Sequence, residues 1–113
     1  IFRENFIYYL MKKNEKYIGY VGVVPKKKNK ELFLSKIYIK KSERGKGLGK
    51  KFLSFLKRTA RRKSFKKITL YVNKDNFDAI SAYQKMGFKK VRAMKKPIGQ
   101  GFFLDDYIMS CPV

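Results

Sequence analysis

Hydrophobic and polar positions change period several times along this chain, and each change marks a predicted element. Residues 6–25 read FIYYLMKKNEKYIGYVGVVP, two apolar runs around a polar break at residues 12–16. That pattern predicts a hairpin with a long connection, and Pro25 ends the second run. Residues 26–30 (KKKNK) read as a solvated loop. Residues 31–40 (ELFLSKIYIK) alternate partly and are rich in β-forming residues, so they form a third strand. Three such strands in succession predict an antiparallel meander.

At residues 48–63 (LGKKFLSFLKRTARRK) the period becomes helical. Leu48, Phe52, Leu53 and Leu56 share one face, Ala60 extends it, and six cations surround the other sides. Residues 67–73 (KITLYVN) are a short apolar strand. Residues 75–88 (DNFDAISAYQKMGF) form a second helix: Asp75 or Asn76 caps it, Asp78 sits in the first turn, and Gly87 suits the left-handed position past its end. A strand over residues 88–96, a turn at PIGQG (residues 97–101) and a last strand over residues 102–110 complete the order. Strands and helices in this order predict one domain, a mixed, mostly antiparallel sheet with helices packed on it.

Composition narrows the chemistry. Among 113 residues, 44% are hydrophobic and 18 are Phe or Tyr, enough for a core. No apolar run reaches the ~18–20 residues of a membrane span, so no membrane partner is expected. There is no histidine, which excludes a Ser-His or Cys-His triad and any His-ligated metal site; no metal is expected. The single Cys111 cannot form an internal disulfide, and a reducing cytoplasm is the default. The net charge of +21 attracts polyanions. However, lysines outnumber arginines 23 to 6 and are spread over almost every segment. Dedicated nucleic-acid readers favour arginine, so nucleic acid ranks as a minor candidate partner.

Three glycines stand at alternate positions in KKSERGKGLGKKF (residues 40–52), between a strand and a helix. The dinucleotide fingerprint fails because Lys50 occupies its last glycine position, and no Gly-Lys-Ser or Gly-Lys-Thr occurs for a P-loop. The cluster is either a structural turn or an anion cradle. The cradle has a physical basis: free amides and the dipole at a helix start attract anions, glycines permit close approach, and Arg44, Lys46 and Lys50 add charge.

Arg44-x-x-Gly47-x-Gly49 resembles the R/Q-x-x-G-x-G/A motif of the GNAT acetyltransferase superfamily. VNKDNFDAISAYQKMGF (residues 72–88) resembles that family's next segment through Asn76, Ala79, Tyr83 and Gly87-Phe88. The resemblance covers residues 6–109 and implies the GNAT acyl-CoA N-acyltransferase fold, here a single domain over residues 1–113 lacking the family's first strand and first two helices. It implies acetyl-CoA as cosubstrate and transfer of acetyl to a primary amine, either a small amine or a protein N-terminus or lysine. The pyrophosphate then lies on the amides of Arg44, Gly45, Lys46, Gly47, Leu48, Gly49 and Lys50. The pantetheine arm pairs with the backbone of Ile37, Tyr38 and Ile39. Asn76 touches the cofactor, caps its helix, or does both. Tyr83 is the general acid near the sulfur; its alternative role is packing on the face of Ile80. Lys50, Lys51 and Lys74 lie within reach of a 3′-phosphate or remain solvated.

The family's strand glutamate is absent, since residues 34–37 read LSKI and only Glu31 is acidic. A water chain could serve as base, or the amine could arrive neutral. Asp105 and Asp106 face opposite sides of a strand: one of them attracts the cationic amine or helps deprotonate it, or they make a surface ion pair with a nearby lysine. Rival readings are a non-enzymatic basic module for nucleic acid or ribosomes, and a degenerate CoA-binding sensor. A homodimer is compatible with all of them.

Overall fold

The structure, a computed structural model, describes residues 5–113. Six strands form one sheet: β1 (Ile7–Lys13), β2 (Lys16–Lys26), β3 (Glu31–Ile39), β4 (Lys67–Asn73), β5 (Lys89–Gly99) and β6 (Phe102–Pro112). Their spatial order is β1-β2-β3-β4-β6-β5. Among the described residues, β3 and β4 are the one neighbouring pair that runs parallel, connected through helix α1 (Leu48–Arg62), and α2 (Phe77–Lys85) follows β4.

The predicted long connection between the first two strands is a two-residue turn. Asn14 and Glu15 both have positive φ (51° and 68°), and the lysines around them continue the ladder. Paired left-handed residues match the twist of a tight hairpin. Residues 27–29 form a single 3-10 turn, and Lys30 closes it at φ 52°. Pro97, expected in a turn, lies in β5 instead. An edge strand tolerates a residue without an N–H.

One face of the sheet carries the core. Val21, Val23, Leu32, Leu34, Ile68, Leu70 and Met109 meet Phe52, Leu53, Leu56 and Ala60 of α1, Ile80 of α2, and Phe88. Both helices therefore cover the same face, and the Lys57 ammonium of α1 donates to the Met86 carbonyl beyond α2 at 2.9 Å. Gly87 takes φ 101°, and the Phe88 amide returns to the Tyr83 carbonyl at 3.0 Å, as the glycine stop predicts. The opposite face has no helix among the described residues. Tyr8, Tyr20, Tyr38 and Tyr71 lie on it, each at least one-third exposed.

β3 bends where it matters. Leu34 lies opposite Val23 and Lys36 opposite Gly22, so Ser35 is an extra residue, a β-bulge. The parallel pairing to β4 covers only Glu31↔Lys67, Leu32↔Ile68 and Phe33↔Thr69. From Leu34 onward the two strands part. Bulges often sit beside active sites because they bend a strand and end its pairing.

Candidate active site

The gap between β3 and β4 opens toward the start of α1. The loop before this helix makes a short 3-10 turn, with Glu43 donating its amide to Lys40 and Arg44 to Lys41. Arg44's amide is therefore already used, and the free donors begin after it. The amides of Gly45 to Lys50 reach no backbone carbonyl among the described residues; the first helical bond is Lys51 to Gly47 at 3.1 Å. Gly45 and Gly47 both take φ 78°, and a Cβ at either would meet nothing within 4 Å. The loop is thus an open row of amide donors at the positive end of a 15-residue helix. A groove of about 440 Å³ beside it is lined by Lys46, Gly47, Lys50, Lys51, Ser54 and Arg58.

The predicted cations behave differently from one another. Arg44 turns its Nε to the Ile39 carbonyl at 2.9 Å, and its guanidinium lies 5.7 Å from the centre of the Tyr38 ring. It pins the end of β3 to the loop. Lys46 bonds Glu43 at 3.3 Å, and Glu43 also binds Lys13 at 3.0 Å. Those hydrogen bonds, led by that of Lys13, hold the Glu43 carboxyl below its usual range. Lys50 and Lys51 line the groove, whereas Lys74 is engaged by Asp105 at 2.9 Å.

On β3, Ile37 and Ile39 turn their side chains to the core, and Tyr38 turns to the helix-free face. Their backbone borders the gap. Across it, Asn76 caps α2 by accepting the Ala79 amide at 3.3 Å. That bond uses the side-chain oxygen and leaves the NH₂ donors free. Tyr83 lies two turns further on, partly buried, with its ring 5.7 Å from Phe88 in an edge arrangement. Burial pushes its phenol above the ordinary value.

The two aspartates separate as strand alternation requires. Asp105 pairs with Lys74. Asp106 is buried, 7% exposed, opposite Asn73 on β4 and Met94 on β5. Burial raises its pKa, and the Asp105 charge adds to the effect. Glu31, the acid at the start of β3, accepts the Thr69 hydroxyl at 2.7 Å and has the Lys67 ammonium 3.9 Å away.

The model of the Acetyltransferase (GNAT) family matches residues 1–88. The chain belongs to the GNAT acetyltransferases. Acetyl-CoA is the cosubstrate of that family, and the resemblance read from Arg44-x-x-Gly47-x-Gly49 is borne out. Solved structures agree on the fold. A GNAT family acetyltransferase from Elizabethkingia anophelis with acetyl-CoA bound superposes at TM-score 0.84, with 19% identity, covering 96% of this chain and 76% of that one. The ribosomal-protein-S18-alanine N-acetyltransferase from Escherichia coli gives 0.81, with 22% identity over 96% and 69%. A GNAT acetyltransferase from Streptococcus pneumoniae gives 0.78, with 26% identity over 96% and 67%. No curated protein sequence matches significantly.

Two contributors to this GNAT site escaped the sequence reading. Arg58 joins Lys50 and Ser54 along the groove at i, i+4 and i+8 spacing, a helical signal that was present. Glu43, which ties the loop to the first hairpin through Lys13, carried no such signal, because its partner is 30 residues away.

Proposed function

We propose that this GNAT transfers the acetyl group of acetyl-CoA to the nitrogen of a primary amine. The observation that carries the reading is the row of free amides from Gly45 to Lys50 beside the gap where β3 leaves β4. The cosubstrate supplies an activated acyl group: its carbonyl carbon bonds the amine nitrogen as the C–S bond breaks.

The chain's own groups have distinct tasks. The amides of Gly45 to Lys50 hold the pyrophosphate, with Lys50 and Lys51 beside it. The free edge of β3 from Ile37 to Ile39 pairs with the pantetheine arm as an added strand would. A backbone N–H near Ile39 stabilises the carbonyl oxygen as it gains charge, a contribution of about 3–4 kcal/mol per donor. Asn76 keeps its NH₂ for the cofactor. Tyr83 gives its proton to the leaving sulfur, and burial keeps that proton in place at neutral pH. The nitrogen loses its proton to water, since Glu31 is held by Thr69 and Lys67. Asp106 draws the cationic amine toward the gap.

Both acceptor classes occur among similar structures. The Escherichia coli and Brucella melitensis enzymes are ribosomal-protein-alanine N-acetyltransferases, and another neighbour is a nourseothricin acetyltransferase. A small amine is the first acceptor to test and a protein N-terminus or lysine the second. Acetyl-CoA supply and a reduced Cys111 fit the cytoplasm.

The deciding experiment is a thermal shift with acetyl-CoA, followed by thiol release over a panel of amines and peptides. A raised Tm and thiol release with at least one amine are expected. Absence of both would sink the reading, and a shift without turnover on any acceptor would make the protein a sensor.

A further inference from the structure

Positive charge is not evenly spread over the folded chain. Residues 26–30 (KKKNK) and 61–67 (RRKSFKK) hold nine of the 29 lysines and arginines in 12 positions, and neither segment contains an acid. The fold brings the two segments together. The Lys66 amide donates to the Lys30 carbonyl at 2.7 Å, and the parallel ladder starts one residue later, where Glu31 lies opposite Lys67. Lys27, Lys28, Lys30, Arg61, Arg62, Lys63 and Lys66 are all exposed. Among the described residues, the one ion pair in either segment is Lys67 with Glu31 at 3.9 Å.

Helix polarity accounts for part of this cluster. Cations at the end of α1 face the negative pole of its dipole, which suits Arg61, Arg62 and Lys63. It does not account for Lys27, Lys28 and Lys30, which come from the separate turn between β2 and β3. Placing that turn beside the end of α1 sets like charges together, which weakens the fold. Lys30 adds a second cost. Its φ is 52°, a left-handed position where glycine or asparagine sits with less strain. A lysine kept there against both costs needs another reason. Lys27, Lys28 and Lys30 line a groove of about 860 Å³ together with Lys63, Ser64 and Phe65 of the other segment. The groove lies at the far end of α1 from the glycine loop, about 22 Å along a helix of 15 residues.

We infer that this groove binds the phosphate backbone of a double-helical nucleic acid without reading its bases. A concave, lysine-lined groove takes a rod of negative charge, whereas a flat anionic membrane would meet only its rims. None of the exposed large hydrophobic side chains lies in either segment. The groove therefore lacks the apolar centre of a protein interface and the exposed rings on which single-stranded bases stack. Lysine is a point charge, suited to phosphate contact rather than to the bidentate base reading that arginine performs. The duplex also carries the denser charge, one per ~1.7 Å of axis against one per ~3.4 Å for a single strand. This inference stands apart from the acetyl-transfer reading, because no residue of the groove belongs to the proposed active site.

The test is fluorescence anisotropy on the full chain, with labelled RNA duplexes of two unrelated sequences and one of their strands alone. The two duplexes are expected to bind alike, and more tightly than the single strand. Log affinity should fall with log salt at a slope of about −3.6, for four phosphates held by Lys27, Lys28, Lys30 and Lys63. Replacing three of these together, Lys27→Gln, Lys28→Gln and Lys63→Gln, should make the slope shallower by about 0.9 per lysine. Affinity at ~50 mM salt should drop about tenfold or more. A matched variant on β5, Lys89→Gln with Lys95→Gln and Lys96→Gln, removes the same net charge and should keep most of the parent's affinity. Melting of both variants at or above the parent's temperature shows that they are folded. Equal losses in the two variants would overturn the inference, since binding would then follow net charge and not the groove. So would a single strand that binds as tightly as the duplex. Displacement of the duplex by acetyl-CoA would overturn it too, by putting the duplex on the glycine loop. Polyglutamate or anionic phospholipid vesicles that compete as well as unlabelled duplex would overturn it in favour of an acidic protein or a membrane.

Discussion

Phe33 on β3 and Thr69 on β4 are the last pair at which the two parallel strands meet. Two residues later Ser35 stands as the extra residue of a bulge against β2. The coincidence has a mechanical meaning. The bulge bends β3 away from β4 and leaves the β3 backbone between Ile37 and Ile39 with one ladder partner, β2. A gap beside the glycine loop is thereby built into the sheet.

Deleting Ser35 tests this directly. Leu34 and Ile37 both face the core although three positions apart, because the bulge absorbs one residue. Removing Ser35 restores simple alternation and keeps both side chains inward, so melting should change little. The straightened strand misplaces the cosubstrate by an ångström or more, and kcat/KM should fall about 10²-fold. An unchanged kcat/KM would show that the bulge does not shape the site.

Tyr83→Phe removes one oxygen from a partly buried ring that still packs on Phe88. Turnover should fall about 10²–10⁴-fold, with acetyl-CoA affinity nearly unchanged, since the lost group acts only as the thiolate leaves. Burial raises the Tyr83 pKa above its ordinary 10.0. The parent enzyme should therefore keep this proton, and its dependent activity, through neutral and mildly alkaline pH. Turnover equal to the parent across that range would remove Tyr83 from the mechanism.

Gly19→Ala probes the packing that positions β3. A Cβ at residue 19 would lie 2.7 Å from the Tyr38 carbonyl oxygen and 3.2 Å from Phe52. The first neighbour is backbone and cannot swing aside, so β2 and β3 must separate or α1 must shift. Overpacking of this kind costs about 1–3 kcal/mol. Denaturant unfolding should show that loss with an unchanged slope, and acetyl-CoA affinity should drop because the displaced backbone borders the gap. A variant as stable as the parent would contradict the tight contact.

Much of this was legible in the sequence because it rests on local chemistry. The helical period from Leu48 to Ala60, the Asn76 cap and the Gly87 stop are each decided within a few residues. The loop motif was readable because free amides follow from helix geometry alone. What stayed hidden depends on partners far along the chain. Lys13 binding Glu43 and Thr69 binding Glu31 span 30 and 38 residues. The tight turn at Asn14-Glu15 was also missed, since neither residue is glycine and the lysines around it read as loop. Charge alone did not reveal that Arg44 would anchor to Ile39, because its carbonyl partner is fixed only once β3 ends there.

Asp106→Asn separates the structural and functional roles of the buried acid. Burial, with the nearby Asp105 charge, raises its pKa above the ordinary 3.8 in the folded protein. The fold therefore favours the protonated acid. That stability is fully present below the ordinary value and lost as pH rises through the raised one. At neutral pH the parent carries a desolvated carboxylate that asparagine lacks. The variant should melt at a higher temperature than the parent at pH 7, and the difference should shrink toward zero as the pH falls below the ordinary carboxylate range. If Asp106 also draws in the amine, the same variant should show a raised KM for the acceptor with acetyl-CoA affinity intact. A variant less stable than the parent at pH 7 would mean that the carboxylate is held by a favourable charge, reversing the argument.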